Sequence, residues 1–246
     1  MSAYVVTYTV STLGLPPAVG FLLGVLAATI TAAGFALVAA RTAGVYFLLL
    51  TLALGMIVWG ICLRWTSVTG GENGIRGSIR PEWLAQPARL YWFTLATTSA
   101  MTLAMWRLVR SPFGLSLAGI RESETRMRAL GYDVPLHLFI GFSVSGFFAG
   151  LAGALYAFFN SFVSPSTVAL GQSVEGLLMA IVGGIGTLFG GLLGAAIIIA
   201  LENLVSAYTE RWLMALGLLF ILTMIFAPTG LLGRINALIA RRGKRK

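Results

Sequence analysis

One cysteine, one histidine and one aspartate occur in 246 residues, and only 10% of the chain is charged. The lone Cys62 excludes an intramolecular disulfide. One histidine and one cysteine also deny the common zinc sites their ligand sets. The same scarcity leaves little from which to assemble a nucleophile, base and acid, so the chain reads as a non-enzyme. Soluble domains carry about 25% charged residues, so a water-soluble fold is excluded. The opening "MSAYVVTYTV" has no basic n-region of the kind a cleavable signal peptide carries. Glycines cluster in "TGGENGI" (69–75), but no Lys-Ser/Thr follows, so this is no phosphate cradle. Gly70, Gly71 and Gly74 are expected to make tight turns instead.

What the chain has is oil. Hydrophobic residues make up 58% of it, and the mean hydropathy is +0.90. Seven apolar stretches stand out, at 17–40, 43–63, 90–109, 136–160, 173–187, 188–206 and 211–228. A helix needs about 20 apolar residues to cross a bilayer's ~30 Å hydrocarbon core, and the alternating ~10-residue segments of a membrane barrel are missing. The expectation is an all-α, polytopic transmembrane helical bundle of about seven spans, a single domain over 1–246. It would carry an extracytoplasmic loop at 64–89, a cytoplasmic loop at 110–135 and a basic cytoplasmic tail at 229–246.

The formal net charge of +9 would suggest nucleic acid in a soluble protein. In a membrane protein it reflects Lys and Arg collecting in cytoplasmic loops. With 110–135 and the tail on one side, that side holds twelve of the 17 cationic residues, Arg41 among them, and the other side five. The twelve-charge side is therefore read as cytoplasmic, with the N-terminus outside. An outside start without a leader leads to the expectation that the chain begins upstream of Met1, or that residues 3–15 finish a helix that starts earlier.

The charged interruption "RSPFGLSLAGIRESETRMRALGYDV" (110–134) reads as one helix. Ser111 suits the N-cap and Pro112 the first helical position. Gly131 suits the terminator, and Pro135 opposes continuation. Glu122 with Arg126, and Glu124 with Arg128, stand at i, i+4, each pair contributing ~0.2–0.5 kcal/mol. Leu117, Ile120, Met127 and Leu130 form an apolar stripe at helical spacing. Mixed charge without tryptophan suits a protein partner better than a lipid surface.

Two readings of the glycines stay open. Gly146 and Gly150 stand four apart, and Gly183, Gly184, Gly186, Gly190, Gly191 and Gly194 follow in a run. Such residues let helices approach closely; alternatively the run breaks a helix where a pathway opens. Glu175 faces either a pathway or an interface, while Glu202 and His137 read as interfacial.

Residues 110–134 resemble the coupling segment of branched-chain amino acid ABC-transporter permeases, the LivM-like family. "GVYFLLLTLALG" (44–55), "TSVTGGENGI" (66–75), "AGLAGALYAFFNSFVSP" (149–165), "EGLLMAIVGGIGTLFGGLLGA" (175–195) and "FAPTGLLG" (226–233) match the family in the same order. Family members usually carry additional helices before the position of Met1, so the chain is N-terminally short relative to them. The resemblance implies a type II-like importer permease in the plasma (inner) membrane of a bacterium or archaeon, with its C-terminus cytoplasmic. It implies as partners two cytoplasmic ABC ATPase subunits, a second, LivH-like permease subunit, and a periplasmic or extracellular substrate-binding protein, besides the lipid bilayer. No nucleic acid is implied. ATP and Mg would sit on the ATPase subunits, and this chain would bind no cofactor. Arg110, Ser111, Pro112, Gly114, Ile120, Arg121, Glu122, Glu124 and Gly131 would carry the coupling contact. Glu175, Gly183, Gly184, Gly186 and Gly190 are the candidate pathway or gating residues. Branched-chain amino acids are the implied substrates, with urea, short amides or sugars as the alternative. An ion-coupled secondary transporter ranks behind both, because the spans lack mid-membrane charge and show no repeat.

Overall fold

The computed structural model describes residues 1–39, 42, 44–77, 79–184, 186–207 and 212–226. Arg41, the stretch "FAPTGLLG" beyond Phe226 and the basic tail 229–246 lie outside the described residues. Along the chain run α1 (Ser2–Ser11), α2 (Pro17–Ala39), α3 (Val45–Arg64), the single turn α4 (Thr66–Thr69), β1 (Ile75–Arg76) and α5 (Pro87–Val109). Then come α6 (Pro112–Glu122), α7 (Glu124–Ala129), α8 (Val134–Asn160), β2 (Phe162–Val163), α9 (Leu170–Gly183), α10 (Leu188–Ser206) and α11 (Trp212–Phe226).

The chain is a polytopic helical bundle, and each of the seven apolar stretches holds a helix. By length and composition α2, α3, α8 and α10 are able to cross a membrane. α9 has 14 residues. At 1.5 Å per residue it reaches about 21 Å, less than the ~30 Å core. The stretch 173–187 thus holds a shorter helix than the span expected of it, while α11 is described only over Trp212–Phe226. α5 has 23 residues and a more polar surface. Its Thr94, Thr97 and Thr102 each donate to the carbonyl four residues back, which keeps their hydroxyls satisfied without water.

Two compact units result, Met1–Leu170 and Gly171–Lys246. In the first, α2 and α8 lie backbone to backbone. A Cβ on Gly146 would collide with Ala32, and one on Gly150 would meet Ala28 and the Val25 carbonyl. This is the small-residue packing expected where no hydrophobic force drives helices together. The short helix α1 lies against both. Gly20 and Gly24 of α2 give room to Val10 and Val6, and the Ser2 hydroxyl donates to the Gly150 carbonyl at 2.7 Å. Thr7 and Thr9 of α1 are buried, and their hydroxyls donate back to Ala3 and Val5 carbonyls. Tyr4, Val25, Val58, Cys62, Ala154 and Phe158 belong to the core that these helices share with α3.

One end of this unit is closed by strands. β1 pairs antiparallel with β2, Ile75 opposite Val163 and Arg76 opposite Phe162. The glycines of 69–75 make the tight turns expected: Gly70, Gly71 and Gly74 all have positive φ. A Cβ on Gly74 would strike the Val163 carbonyl. In the second unit, Val182, Ile198 and Leu216 join α9, α10 and α11 in a core of their own.

Candidate functional site

The charged segment begins at an elbow. α5 ends at Val109 and is followed by Arg110, whose guanidinium lies 4.1 Å over the Trp106 ring, a contact that holds the cation where the apolar stretch stops. Ser111 caps α6: its Oγ accepts from the Gly114 N–H at 3.3 Å and donates to the Leu108 carbonyl at 2.6 Å. Pro112 occupies the first helical position. Gly114 sits in the crook, where a Cβ would press into the Leu108 and Val109 carbonyl oxygens. Three residues marked by the sequence thus make one corner, and the corner turns α6 away from α5.

The segment is not one helix. Ser123 is extended, at φ −162° and ψ 103°, and divides α6 from α7. Its side chain caps α7 by accepting from the Arg126 N–H at 3.3 Å. The break separates Glu122 from Arg126, so the first expected i, i+4 pair does not form. Among the described residues the ion pair present is Glu124–Arg128, at 3.5 Å with the two side chains 47% and 62% exposed. A pair so open to water contributes a few tenths of a kcal/mol at most. Caps and apolar packing, more than this salt bridge, hold the segment in place.

α7 ends as Gly131 foretold. Gly131 has φ +89°. Tyr132 N–H donates to the Met127 carbonyl at 3.1 Å and Gly131 N–H to that of Arg128 at 3.0 Å, the paired bonds of a Schellman motif. Asp133 then caps α8, its Oδ1 accepting from Leu136 N–H at 3.1 Å. Ile120, Met127 and Val134 bury together, with Leu117 and Leu138 beside them, and the Met127 sulfur lies over Gly119. Ile120 is therefore turned inward to hold the two short helices onto the foot of α8. Leu130, expected on the same stripe, is instead 66% exposed. Arg121, Glu122, Glu124, Arg126, Arg128 and Leu115 are exposed as well. They form a charged surface edged by two leucines on an anchored base.

His137, half-buried at the foot of α8, packs against this junction. Its ring stacks on Phe113 of α6 at 5.9 Å and 17°, and meets Tyr132 edge-on at 5.5 Å. Its Nδ1 donates to the Asp133 carbonyl at 2.7 Å.

The second group of candidates lies in the second unit. α9 ends at Gly183, and Gly184 and Gly186 turn the chain with φ of +123° and +98°. Gly183 and Gly190 meet so closely that a Cβ on Gly183 would run into the Gly190 carbonyl, and one on Gly194 into that of Met179. The glycine run is thus both a helix break and a close-packed seam. Gly191 has open space around it. Glu175, partly exposed on α9, accepts a 2.8 Å hydrogen bond from Gln172.

Three features escaped the reading of the sequence. The Ser123 break had a legible signal, a serine followed by an acidic first-turn residue. The β1–β2 pair is two residues long on each side, too short to show alternation. The grip of Arg80 on the end of α8, donating to the Phe158 carbonyl at 2.7 Å and to that of Phe159, has no sequence signature, since its partners are backbone atoms 78 and 79 positions away.

Against known proteins, residues 1–227 match the family described as branched-chain amino acid transport system / permease component. The chain is 30% identical to the high-affinity branched-chain amino acid transport system permease protein LivM of Escherichia coli (strain K12), with 78% of this chain and 52% of that protein covered. It is 25% identical to the probable branched-chain amino acid transport permease protein LivM of Methanocaldococcus jannaschii, covering 80% and 63%. It is 28% identical to the autoinducer 2 import system permease protein LsrC of Salmonella paratyphi B, covering 58% and 43%. The chain thus spans about half the length of the curated relatives it matches. No solved structure matches it.

Proposed function

The chain belongs to the permease-component family of branched-chain amino acid transport systems, and we propose that it serves as a membrane-spanning permease subunit of an ATP-driven importer for branched-chain amino acids. The observation that carries this reading is the anchored surface on α6 and α7. Its charged residues project outward while Ile120 and Met127 hold it to α8. A helix pair fixed at both ends, by the Gly114 elbow to α5 and by apolar packing to α8, suits a part that receives force from a separate motor. Two cytoplasmic ATPase subunits would dock there and bind the ATP and Mg. A second permease subunit would complete the pathway, and an external binding protein would deliver substrate. The cationic residues on this segment and the tail support a cytoplasmic location for both.

Glu175, Gly183, Gly184, Gly186 and Gly190 belong to the same proposal as pathway or gating residues. Their seam is packed backbone to backbone, with no room for a Cβ at Gly183, Gly190 or Gly194, so a pathway that opens there requires α9 and α10 to part at these glycines.

The test is co-purification with an ATPase, followed by uptake and ATP hydrolysis in vesicles. Arg121→Ala with Glu122→Ala is expected to leave the chain folded and to uncouple hydrolysis from uptake. Unchanged uptake in that variant overturns the assignment of these residues. The similarity to an autoinducer 2 import permease supports a second reading, in which the substrate is not a branched-chain amino acid but another small solute, with urea, a short amide or a sugar as the alternative. Ligand binding by the cognate external protein separates the two.

A further inference from the structure

We infer that α8 is a connecting rod that carries motion from the coupling segment to the β1–β2 clasp at the opposite end of the first unit, with His137 and Arg80 as its two positioning residues. This rests on the coupling reading above and extends it to the far side of the bundle.

α8 runs unbroken for 27 residues, about 40 Å at 1.5 Å per residue. Its first turn is bound to the coupling segment by a different set of contacts from those that bind its last turn. At the start, His137 stacks on Phe113 of α6, takes the edge of Tyr132, and donates to the Asp133 carbonyl. One ring thus touches α6 and two residues of the α7–α8 link, Tyr132 and the capping Asp133. At the end, the Arg80 guanidinium donates to the Phe158 and Phe159 carbonyls, groups that have no intrahelical partner. The chain then turns through Ser161, at φ +53°, directly into β2. β2 holds β1, and Arg76 of β1 lies over the Phe162 ring at 5.0 Å.

Between the two ends α8 has little freedom to bend independently. Gly146 and Gly150 press it against α2, and Ser2 of α1 is bonded to its Gly150 carbonyl. A tilt applied at Phe113 therefore arrives at Phe162. The clasp is two residue pairs long; Ile75 and Val163 pack into the core while Arg76 is exposed, so displacement is taken up as parting of the outer pair, Arg76 and Phe162.

The experiment is a cross-link across the clasp in the assembled transporter. Arg76→Cys and Phe162→Cys, in a Cys62→Ala background, place two thiols on residues directly opposite in the ladder, within disulfide reach. Oxidation is followed with and without a non-hydrolysable ATP analogue. The analogue is expected to slow cross-linking by about fivefold or more, the low end of ordinary coupling between sites. His137→Ala is expected to abolish that nucleotide effect while the ATPase stays bound, and His137→Phe, which keeps a ring on Phe113, to restore it. Tyr132→Ala, at an exposed position, is expected to weaken the effect if His137→Ala fails to assemble. A bound, ATP-hydrolysing partner with a nucleotide-indifferent cross-link overturns this inference alone. Failure of any ATPase to bind overturns the coupling reading and this inference with it.

Discussion

Arg80 closes the end of a helix that is 78 residues away in sequence. Its Nε donates to the Phe158 carbonyl at 2.7 Å, where the last carbonyls of α8 carry partial negative charge. Charged hydrogen bonds of this kind contribute about 1.5–3 kcal/mol, the lower figure applying to a partly exposed group. Arg80→Ala is expected to lower the thermal midpoint of the detergent-solubilised chain. Arg80→Lys should recover only part of the loss, because an ammonium cannot fork across two carbonyls. Equal midpoints for the alanine variant and the parent would remove the capping role.

At the elbow, Gly114→Ala is expected to be costly. The added methyl meets the Leu108 and Val109 carbonyl oxygens, and overpacking of this sort costs about 1–3 kcal/mol. Limited proteolysis should then cut within 110–135 well before the parent is cut there. Identical digestion patterns would show that the corner has slack.

Between α6 and α7, the cap should outweigh the charges. Ser123→Ala removes the acceptor for the Arg126 N–H, at about 0.5–2 kcal/mol. Glu124→Ala removes an exposed ion pair, at ~0–1 kcal/mol. Hydrogen exchange at residues 124–129 is expected to accelerate more in the serine variant. The reverse order would restore the salt bridge as the stiffening element.

In the core of the first unit, the Tyr4 hydroxyl is buried without a hydrogen-bond partner among the described residues. Leaving such a group unpaired costs about 1–3 kcal/mol. Tyr4→Phe is therefore expected to raise the thermal midpoint, which a single melting curve decides. A lower midpoint means that the phenol has a partner.

Along the α9–α10 hairpin, two neighbouring glycines should answer oppositely. Gly190→Ala drives a methyl into Thr187 and the Gly184 carbonyl, whereas Gly191 has open space around it. Gly191→Ala is expected to be tolerated or to stabilise α10 by up to ~1 kcal/mol, the helix-propensity difference, and Gly190→Ala to reduce folded yield sharply. Similar yields for the two would mean that the hairpin relaxes easily.

Local chemistry was legible wherever a residue's role depends on its near neighbours. Ser111, Pro112 and Gly131 announce the start of α6 and the end of α7, because capping and left-handed turns are settled within four residues. The apolar stretches announce α2, α3, α8 and α10, because crossing a bilayer is a matter of length and oil. The sequence by itself determined a helical membrane protein with a charged, capped interruption. Only the tertiary structure decided that Ser123 breaks that interruption in two, that Ile120 turns inward while Leu130 stays out, and that His137 and Arg80 fasten opposite ends of α8. Those outcomes depend on backbone carbonyls and ring faces brought together across long separations, and such partners leave no mark in a string of side chains.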